Sequence, residues 1–267
     1  MVSNKTIVLT GASSGIGLEV LKLLSAEKTN TILAVSRHAE EKLALFADNV
    51  ISFTCDVSSR EGVDAIFDKA AEVFGGRKID IFYANAGFPY YEEFNYTNWE
   101  RILKIFETNT ISPIYTYAKY LHHLDGREGH LAYTVSAIGQ MAMPGYALYS
   151  ATKFALHGFQ QAMRLEKPDS LKVTCLYPVA TDTNFFKVAN EHKFEKPFPV
   201  QKPEVVARKM VAGLDKGKKF VSPSPLFALS KVLMTVAPPV RTIYWKLETE
   251  KLERFKKEIQ KLRGEKK

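Results

Sequence analysis

Short apolar runs alternate with longer segments of helical period along the first two hundred residues of the chain. The apolar runs are KTIVLT, TILAVS, VISFTCD, IDIFYAN, HLAYTVS and LKVTCLYP, with KKFVSP as a seventh candidate. Helices are predicted between them, from residues 15, 39 and 59 and over residues 99–121 and 149–165. Strands that are apolar throughout and alternate with helices are typical of a parallel sheet covered on both faces. We therefore predict one doubly wound α/β domain with a largely parallel, seven-stranded sheet.

The segment 181–202 interrupts this alternation. It contains four phenylalanines and two prolines, and it is too long for an ordinary connection between a strand and a helix. Long loops of this kind are often lids over a site. We predict that residues 181–202 form a substrate loop.

After residue 222 the pattern changes again, to PLFALSKVLMTV, a Pro238-Pro239 break and a basic segment. The basic segment carries Leu252, Phe255, Ile259 and Leu262 at helical spacing. Neither piece has the roughly 18 apolar residues that a membrane-spanning helix needs. The sequence thus predicts a catalytic domain over residues 1–222 and a C-terminal helical extension with a basic amphipathic tail over residues 223–267.

The charge distribution narrows the range of partners. The chain has 37 Lys and Arg against 29 Asp and Glu, a net charge of +8, and residues 246–267 hold nine of the basic and five of the acidic residues. Because half of the excess lies in this tail, the body is nearly balanced and a nucleic-acid partner is not expected. The tail is predicted either to contact anionic lipid or a partner, or to pack on a second subunit or on the domain itself.

The two cysteines, Cys55 and Cys175, each lie within a predicted buried strand and indicate no disulfide framework. The start MVSNKTIVLTG does not have the pattern of a secretory signal. His122, His123 and His157 have no cysteines or acids at ligand spacing, so no metal site is predicted. A reducing, cytoplasmic location follows as an expectation, with peripheral membrane association as a possible addition.

A glycine-rich motif, TGASSGIG, directly follows the first predicted strand. Glycines permit a sharp turn and a close approach of the backbone to a pyrophosphate, and free N–H groups at the start of the next helix favour an anion. Its position between a strand and a helix indicates a dinucleotide-binding, Rossmann-type fold. The candidate cofactor residues are Gly11, Ser13, Ser14, Gly15, Ile16 and Gly17.

The end of the second strand decides which dinucleotide is expected. An acidic residue there binds the ribose hydroxyls, whereas a basic one meets a 2′-phosphate. This chain has Ser36-Arg37 and no acid at that point. The pair predicts NADP(H) in preference to NAD(H), with a solvated loop charge as the alternative for Arg37.

The stretch YSATKFALHGF places a phenol and an ammonium four residues apart. On a helix Tyr149 and Lys153 share a face, and a nearby ammonium is expected to lower the pKa of the phenol from about 10 towards neutrality. Tyr149 is then able to exchange a proton with a carbonyl or alcohol oxygen. Ser136, predicted to end the fifth strand, is placed to hydrogen-bond the same oxygen.

Together, TGASSGIG, the NAG at residues 85–87, Asn109, Ser136 and Tyr149-x-x-x-Lys153 follow the order and approximate spacing of the short-chain dehydrogenase/reductase family, which residues 5–222 closely resemble. The resemblance implies that Ser136 positions the substrate oxygen, that Tyr149 is the proton donor or acceptor, and that Lys153 lowers the tyrosine pKa and binds the nicotinamide ribose. It also implies a water-mediated proton relay at Asn109.

The resemblance extends to further cofactor contacts. Asp56-Val57 matches the position near the adenine amino group, and Asn85, Ala86 and Gly87 match the turn beside the cofactor. In YPVATDT, Pro178, Thr181 and Thr183 match the region that holds the nicotinamide carboxamide, although Val179 replaces the usual glycine. Family members also commonly form homodimers or homotetramers through the helices at residues 99–121 and 149–165.

These features predict hydride transfer between a nicotinamide and a carbonyl or secondary alcohol, in the reductive direction. The phenylalanine-rich loop and the apolar segment 226–237 favour an apolar ketone such as a steroid or a 3-keto lipid, and Met141 and Met143 lie where the family shapes its substrate pocket. A reductase of small polar carbonyls and a non-catalytic NADP(H) sensor are the alternatives. A nucleotide-sugar epimerase or dehydratase is disfavoured because residues 181–267 are too few and too basic for its substrate domain.

Overall fold

The central sheet of the computed structural model, which describes residues 2–44 and 46–264, has seven parallel strands in the order β3-β2-β1-β4-β5-β6-β9. The strands are β1 Thr6–Thr10, β2 Thr31–Ser36, β3 Val50–Thr54, β4 Ile81–Ala84, β5 Gly129–Thr134, β6 Leu171–Leu176 and β9 Phe220–Val221. Two short strands, β7 Ala180–Thr181 and β8 Val200–Gln201, pair separately. The predicted doubly wound, seven-stranded parallel sheet is confirmed.

Helices cover both faces of this sheet. They are α1 Gly15–Ser25, α2 Ala39–Leu43, α3 Arg60–Val73, α4 Trp99–Phe106, α5 Ser112–Leu124, α6 Ala147–Glu166, α7 Phe185–Ala189, α8 Pro203–Asp215, α9 Pro225–Val236 and α10 Pro238–Gly264. One buried cluster joins α3, α5 and α6 to the sheet, and a second joins α1, α2 and α8 to the opposite face. All five residues of β1 are buried, as expected for a central strand packed on both sides.

Two predicted boundaries differ from the structure. The helix expected over residues 99–121 consists of α4, a π-helical turn at Glu107–Ile111 and α5. Strand β5 ends at Thr134, so Ser136 lies beyond it and begins a short 3₁₀ turn with a φ of +128°. Hydrophobic periodicity does not register such local changes of backbone path, because the side-chain pattern continues through them.

The segment 181–202 contains more regular structure than the loop predicted there. Helix α7 and the β7–β8 pair give it a fixed backbone, and Phe186 and Ala189 are buried. Phe194 stacks on Tyr91, with 4.0 Å between the ring centroids. Aromatic packing therefore holds this segment against the domain.

The C-terminal extension is a pair of helices that turns sharply at the two prolines. Helices α9 and α10 differ in direction by 119°, as expected where Pro238 and Pro239 cannot continue the preceding helix. Further along α10, Leu252, Phe255 and Ile259 pack against Tyr91 in a third apolar cluster. Leu262, the last member of the predicted stripe, is instead 40% exposed. The first three members of the stripe thus cover the domain's own surface.

Candidate active site

A cavity of about 270 Å³ lies at the carboxyl ends of β1, β4, β5 and β6. This edge is where open α/β sheets bind their ligands. The cavity has a glycine-lined end and an apolar end. The predicted site residues on its wall are Gly11, Ser14, Gly15, Ile16, Gly17, Arg37, Asn85, Ala86, Gly87, Ser136, Tyr149, Lys153, Pro178, Thr181 and Thr183.

The glycine loop is shaped for close backbone approach. Gly15 has a φ of +55°, and a Cβ at Gly17 would lie 2.1 Å from the carbonyl oxygen of Gly11. Asn85 fixes the loop from the neighbouring strand, since its Nδ2 donates to the Thr10 carbonyl oxygen at 3.1 Å. The loop and the start of α1 therefore fit the pyrophosphate of a nicotinamide dinucleotide, as an exposed backbone at a helix N-terminus favours a phosphate.

The loop after β6 closes this end of the cavity. A Cβ at Gly15 would lie 3.3 Å from the Thr183 Cβ, so the glycine loop and Thr183 are immediate neighbours. The Thr183 Oγ1 accepts from the Phe185 N–H at 3.2 Å. Val179, which stands at the usual glycine position, lies on the cavity wall beside Pro178, whose carbonyl oxygen accepts from the Ala137 N–H at 2.9 Å.

Four predicted cofactor residues lie away from the cavity wall. Ser13 is half-buried in the glycine loop, and the Ser36 Oγ accepts from the His38 N–H at 3.4 Å. Asp56 is exposed, with its carboxylate accepting from the Ser58 N–H at 3.0 Å, and Val57 belongs to the core under the sheet. Of the residues predicted around β2 and β3, the cavity wall includes Arg37, whose side chain is exposed.

Tyr149, Lys153 and Ser136 come together at the middle of the cavity. Helix α6 presents the first two on one face, and the side chains are 5%, 3% and 7% exposed, so bulk water is largely excluded. The Lys153 Nζ lies 5.7 Å from the centroid of the Tyr149 ring and donates to the Thr134 carbonyl oxygen at 3.0 Å. The Ser136 Oγ accepts from the Ile138 N–H at 3.2 Å.

Burial controls the proton affinities of this group. It raises the pKa of the Tyr149 phenol well above the ordinary 10, and a hydrogen bond with Ser136 offsets only part of the increase. Burial also lowers the pKa of the Lys153 ammonium to about 7. The expected depression of the tyrosine pKa is therefore wrong for the protein alone, because loss of hydration outweighs the charge that helical spacing places nearby. At neutral pH Tyr149 is a protonated phenol and can donate to a carbonyl oxygen.

Asn109 is fully buried in the π-helical turn between α4 and α5 and does not line the cavity. Its Nδ2 donates to the Phe88 carbonyl oxygen at 2.8 Å and to the Thr152 Oγ1 at 3.2 Å, and its Oδ1 accepts from the Phe88 N–H at 3.0 Å. These bonds join the turn after β4 to α6. In the structure Asn109 therefore fixes the turn after β4 relative to helix α6, which carries Tyr149.

The apolar end of the cavity is built from four separate parts of the chain. The predicted Met141 and Met143 lie on it, and the segment 181–202 supplies Phe185, Phe186 and Phe198. Phe227 of α9 and Tyr244 of α10 complete this wall. Sequence reasoning missed the last two as pocket residues, because no local pattern indicates which side chains of the extension return to the sheet edge.

Tyr146 is a further residue that the sequence analysis did not identify. It lies three positions before Tyr149, lines the cavity and is 2% exposed. Its hydroxyl has no hydrogen-bond partner within the described part of the chain. A tyrosine at this spacing is indistinguishable from ordinary core in a sequence.

Residues 5–193 match the family model described as short chain dehydrogenase. A 17-beta-hydroxysteroid dehydrogenase 13 from Rattus norvegicus is 29% identical over 82% of this chain and 75% of its own length. A 3-ketodihydrosphingosine reductase from Dictyostelium discoideum is 26% identical over 81% of this chain and 73% of its own. A solved alcohol dehydrogenase from Thermococcus sibiricus, complexed with 5-hydroxy-NADP, superposes with a TM-score of 0.68 at 25% identity, covering 82% of this chain and 95% of that one.

Proposed function

Because the chain belongs to the short-chain dehydrogenase/reductase family, we propose that it is an NADP(H)-dependent oxidoreductase that reduces a large apolar ketone to a secondary alcohol. One observation carries this proposal: a single cavity joins the glycine loop, the group formed by Ser136, Tyr149 and Lys153, and a wall of aromatic and methionine side chains. The arrangement places a nucleotide-binding surface, a proton donor and an apolar surface in direct continuity.

The chain's own residues divide the chemistry between them. A reduced nicotinamide held at the glycine-lined end would supply the hydride for the new C–H bond at the carbonyl carbon and would itself be oxidised. Tyr149, protonated at neutral pH, gives its phenolic proton to the carbonyl oxygen as that oxygen gains charge. The Ser136 hydroxyl orients the same oxygen, and the buried Lys153 ammonium stabilises the phenolate left on Tyr149.

Arg37 supports the preference for NADP(H). Its side chain reaches the cavity from the end of β2, where an acidic residue would otherwise bind ribose hydroxyls. The archaeal structure named above holds an NADP derivative. Replacing Arg37 by Glu is expected to raise the KM for NADPH by about 10- to 100-fold, as a charge-assisted hydrogen bond contributes about 1.5–3 kcal/mol. An unchanged ratio of NADPH to NADH efficiency would show that Arg37 is a solvated loop charge.

The apolar wall supports the substrate class. Phe185, Phe186, Phe198 and Phe227 present rings to the space beside Tyr149, and the distance between the Tyr149 and Phe185 ring centroids is 5.5 Å. Two of the relatives carry the names of a hydroxysteroid dehydrogenase and a ketosphingoid reductase, both of which refer to large apolar molecules. An aromatic surface of this kind gains free energy by removing an apolar substrate from water.

NADPH oxidation tests the proposal directly. The purified protein is assayed against carbonyls from small aldehydes to steroid ketones and 3-keto lipids in mixed micelles, with Tyr149→Phe as the control. We expect the highest kcat/KM with the large apolar ketones and its loss in the variant. Turnover confined to small polar carbonyls would show that these, and not large apolar ketones, are the substrate class. Tight NADPH binding without turnover of any compound would favour the sensor alternative.

Homo-oligomerisation, a cytoplasmic location and peripheral membrane contact extend the proposal. Apolar side chains that are exposed in a single chain support a second subunit on α4–α6, including Trp99, which is 70% exposed, and Phe154, which is 42% exposed. Light scattering coupled to size exclusion would measure the subunit number. A monomer at micromolar concentration would remove this part of the proposal.

A further inference from the structure

Helices α9 and α10 both expose apolar side chains, which together we term the outer face. Its members are 46% to 73% exposed and recur at helical spacing. They are Leu226, Leu229, Val232, Leu233 and Val236 of α9, with Ile243 and Leu247 of α10. A set of apolar side chains of this size in contact with water is typical of a surface that meets another apolar phase.

The opposite side of the same helices holds them to the domain. Phe227 is 7% exposed and lines the cavity, as does Tyr244, whose hydroxyl donates to the Phe198 carbonyl oxygen at 3.0 Å. The Trp245 Nε1 donates to the Ala142 carbonyl oxygen at 2.8 Å. The helices thus separate the apolar end of the cavity from the outer face.

The charge of this region has one sign. Residues 226–247, which span the outer face, contain three Lys and Arg and no Asp or Glu. Arg241 and Lys246, one on each side of Ile243, are exposed. A positively charged apolar surface is complementary to anionic lipid headgroups above an acyl phase.

The outer face is a better candidate for lipid contact than the basic tail that follows it. In the tail, Leu252, Phe255 and Ile259 already pack on the domain, and acidic residues alternate with the basic ones beyond Leu247. None of the described helices is by itself long and apolar enough to cross a bilayer; α9 and α10 meet that criterion only as a bent pair. Their geometry matches a surface that lies within the interface of a bilayer.

We propose that the outer face inserts into the headgroup and upper acyl region of an anionic bilayer, next to the apolar end of the cavity. A second copy of the chain is a poorer occupant, because a two-fold interface would oppose the same positive surfaces without an acidic partner. If the proposed function holds, an apolar ketone can pass from the bilayer into the cavity, and only this consequence rests on that function. The proposed binding to the bilayer is independent of it.

Vesicle flotation with the full-length chain tests the inference. Phosphatidylcholine vesicles with and without 30% phosphatidylserine are compared at low and at physiological salt. We expect binding to the anionic vesicles, weakened by salt. The double variant Leu229→Asp/Val236→Asp should lose at least tenfold in partitioning, whereas Leu23→Asp, which replaces a 38% exposed leucine on α1, should bind like the wild type.

A second pair of substitutions tests the electrostatic part without altering the apolar side chains. Arg241→Gln/Lys246→Gln should reduce binding to anionic vesicles at least tenfold, since each cation near such a surface contributes about fivefold. Equal binding of the wild type and both double variants, or no binding at all, would overturn the proposal. So would an oligomer of the wild type that the Leu229→Asp/Val236→Asp variant dissociates, because the occupant would then be a second copy.

Turnover of a small soluble aldehyde without vesicles separates this inference from the proposed function. All variants should retain wild-type turnover, since the substituted side chains lie outside the cavity wall. Vesicle binding without turnover of any carbonyl would leave the membrane surface standing and remove the reductase. Turnover without vesicle binding would support the reductase and overturn the proposed membrane surface.

Discussion

The two walls of the cavity are built by different principles. The wall formed by the sheet ends and helix α6 carries Ser136, Tyr149 and Lys153, each less than 8% exposed. The facing wall is formed by α7, the segment after it and the C-terminal helices, whose rings line the cavity while their other sides reach solvent. Leu229 and Val236, on the same helix as Phe227, are 68% and 73% exposed.

This difference indicates that the residues for proton transfer and the residues that contact the substrate lie on separate parts of the fold. Parallel strands end at one edge and α6 packs on the sheet, so the polar groups there acquire fixed positions from buried secondary structure. The extension contacts that edge through a few rings and is otherwise free to carry a different surface. We therefore expect substitutions in the first wall to change the rate of chemistry, and those in the second to change substrate affinity, stability or membrane contact.

The largest expected effect is that of Tyr149→Phe. Loss of the proton donor should lower kcat/KM by about 10²- to 10⁴-fold, with the Kd for NADPH nearly unchanged. Phe227→Ala should instead raise the KM for an apolar ketone about tenfold or more and leave kcat close to the wild-type value. Steady-state kinetics of both variants tests whether one wall carries out the chemistry and the other binds the substrate. The comparison is wrong if Phe227→Ala lowers kcat as strongly as Tyr149→Phe does.

The packing of α10 on the domain gives the next largest effect. Phe255 is 7% exposed and its ring centroid lies 5.2 Å from that of Tyr91. Phe255→Ala should lower the free energy of unfolding by about 3–5 kcal/mol, because it leaves a cavity in the third cluster. The control Leu262→Ala, at a side chain 40% exposed on the same helix, should cost well under 1 kcal/mol. Similar urea midpoints for the two variants would mean that α10 contributes little to stability.

The buried Lys153 should make stability depend on pH. Its pKa falls from 10.5 to about 7 on folding, so between these values the unfolded chain binds more protons than the folded one. Stability contributed by this group therefore rises with pH across that window, by at most about 1.4 kcal/mol per unit. Urea unfolding from pH 7 to 9 without cofactor measures the free energy of unfolding of the wild type and of Lys153→Met. The difference between the two values at each pH gives the contribution of Lys153. A difference independent of pH would show that the folded protein leaves this pKa at its ordinary value.

The smallest expected effect is that of Tyr146→Phe. Because its hydroxyl is buried and has no partner among the described residues, its removal should change the free energy of unfolding by less than about 1 kcal/mol, and in the stabilising direction. The matched control is Tyr120→Phe, which removes a buried hydroxyl that donates to the Ile79 carbonyl oxygen at 2.8 Å. The control should destabilise by about 1–2 kcal/mol. A larger loss from Tyr146→Phe than from the control would reveal a partner for its hydroxyl.

Local features of the sequence predicted much of the fold and of the polar wall. The apolar runs gave the seven strands, because strands buried on both faces are apolar over most of their length. TGASSGIG gave the turn after β1, and the four-residue spacing of Tyr149 and Lys153 gave their shared face on α6. Each of these features depends on residues that are close to one another in the sequence.

Features that depend on distant neighbours could not be predicted in the same way. The direction of the Tyr149 pKa shift was wrong because burial is a property of the assembled domain, not of helical spacing. The positive φ of Ser136 arises where the chain leaves β5, a change that no side-chain pattern marks.

The sequence by itself determined the layered α/β architecture and which residues are chemically able to bind a dinucleotide and move a proton. Only the tertiary structure decided that Phe227 and Tyr244 close the cavity, that the first three members of the tail's apolar stripe pack inward, and that Leu229 and Val236 face solvent. The physical reason is range: periodicity records which side of an element is apolar, whereas the partner of that side is set by how the elements fold together.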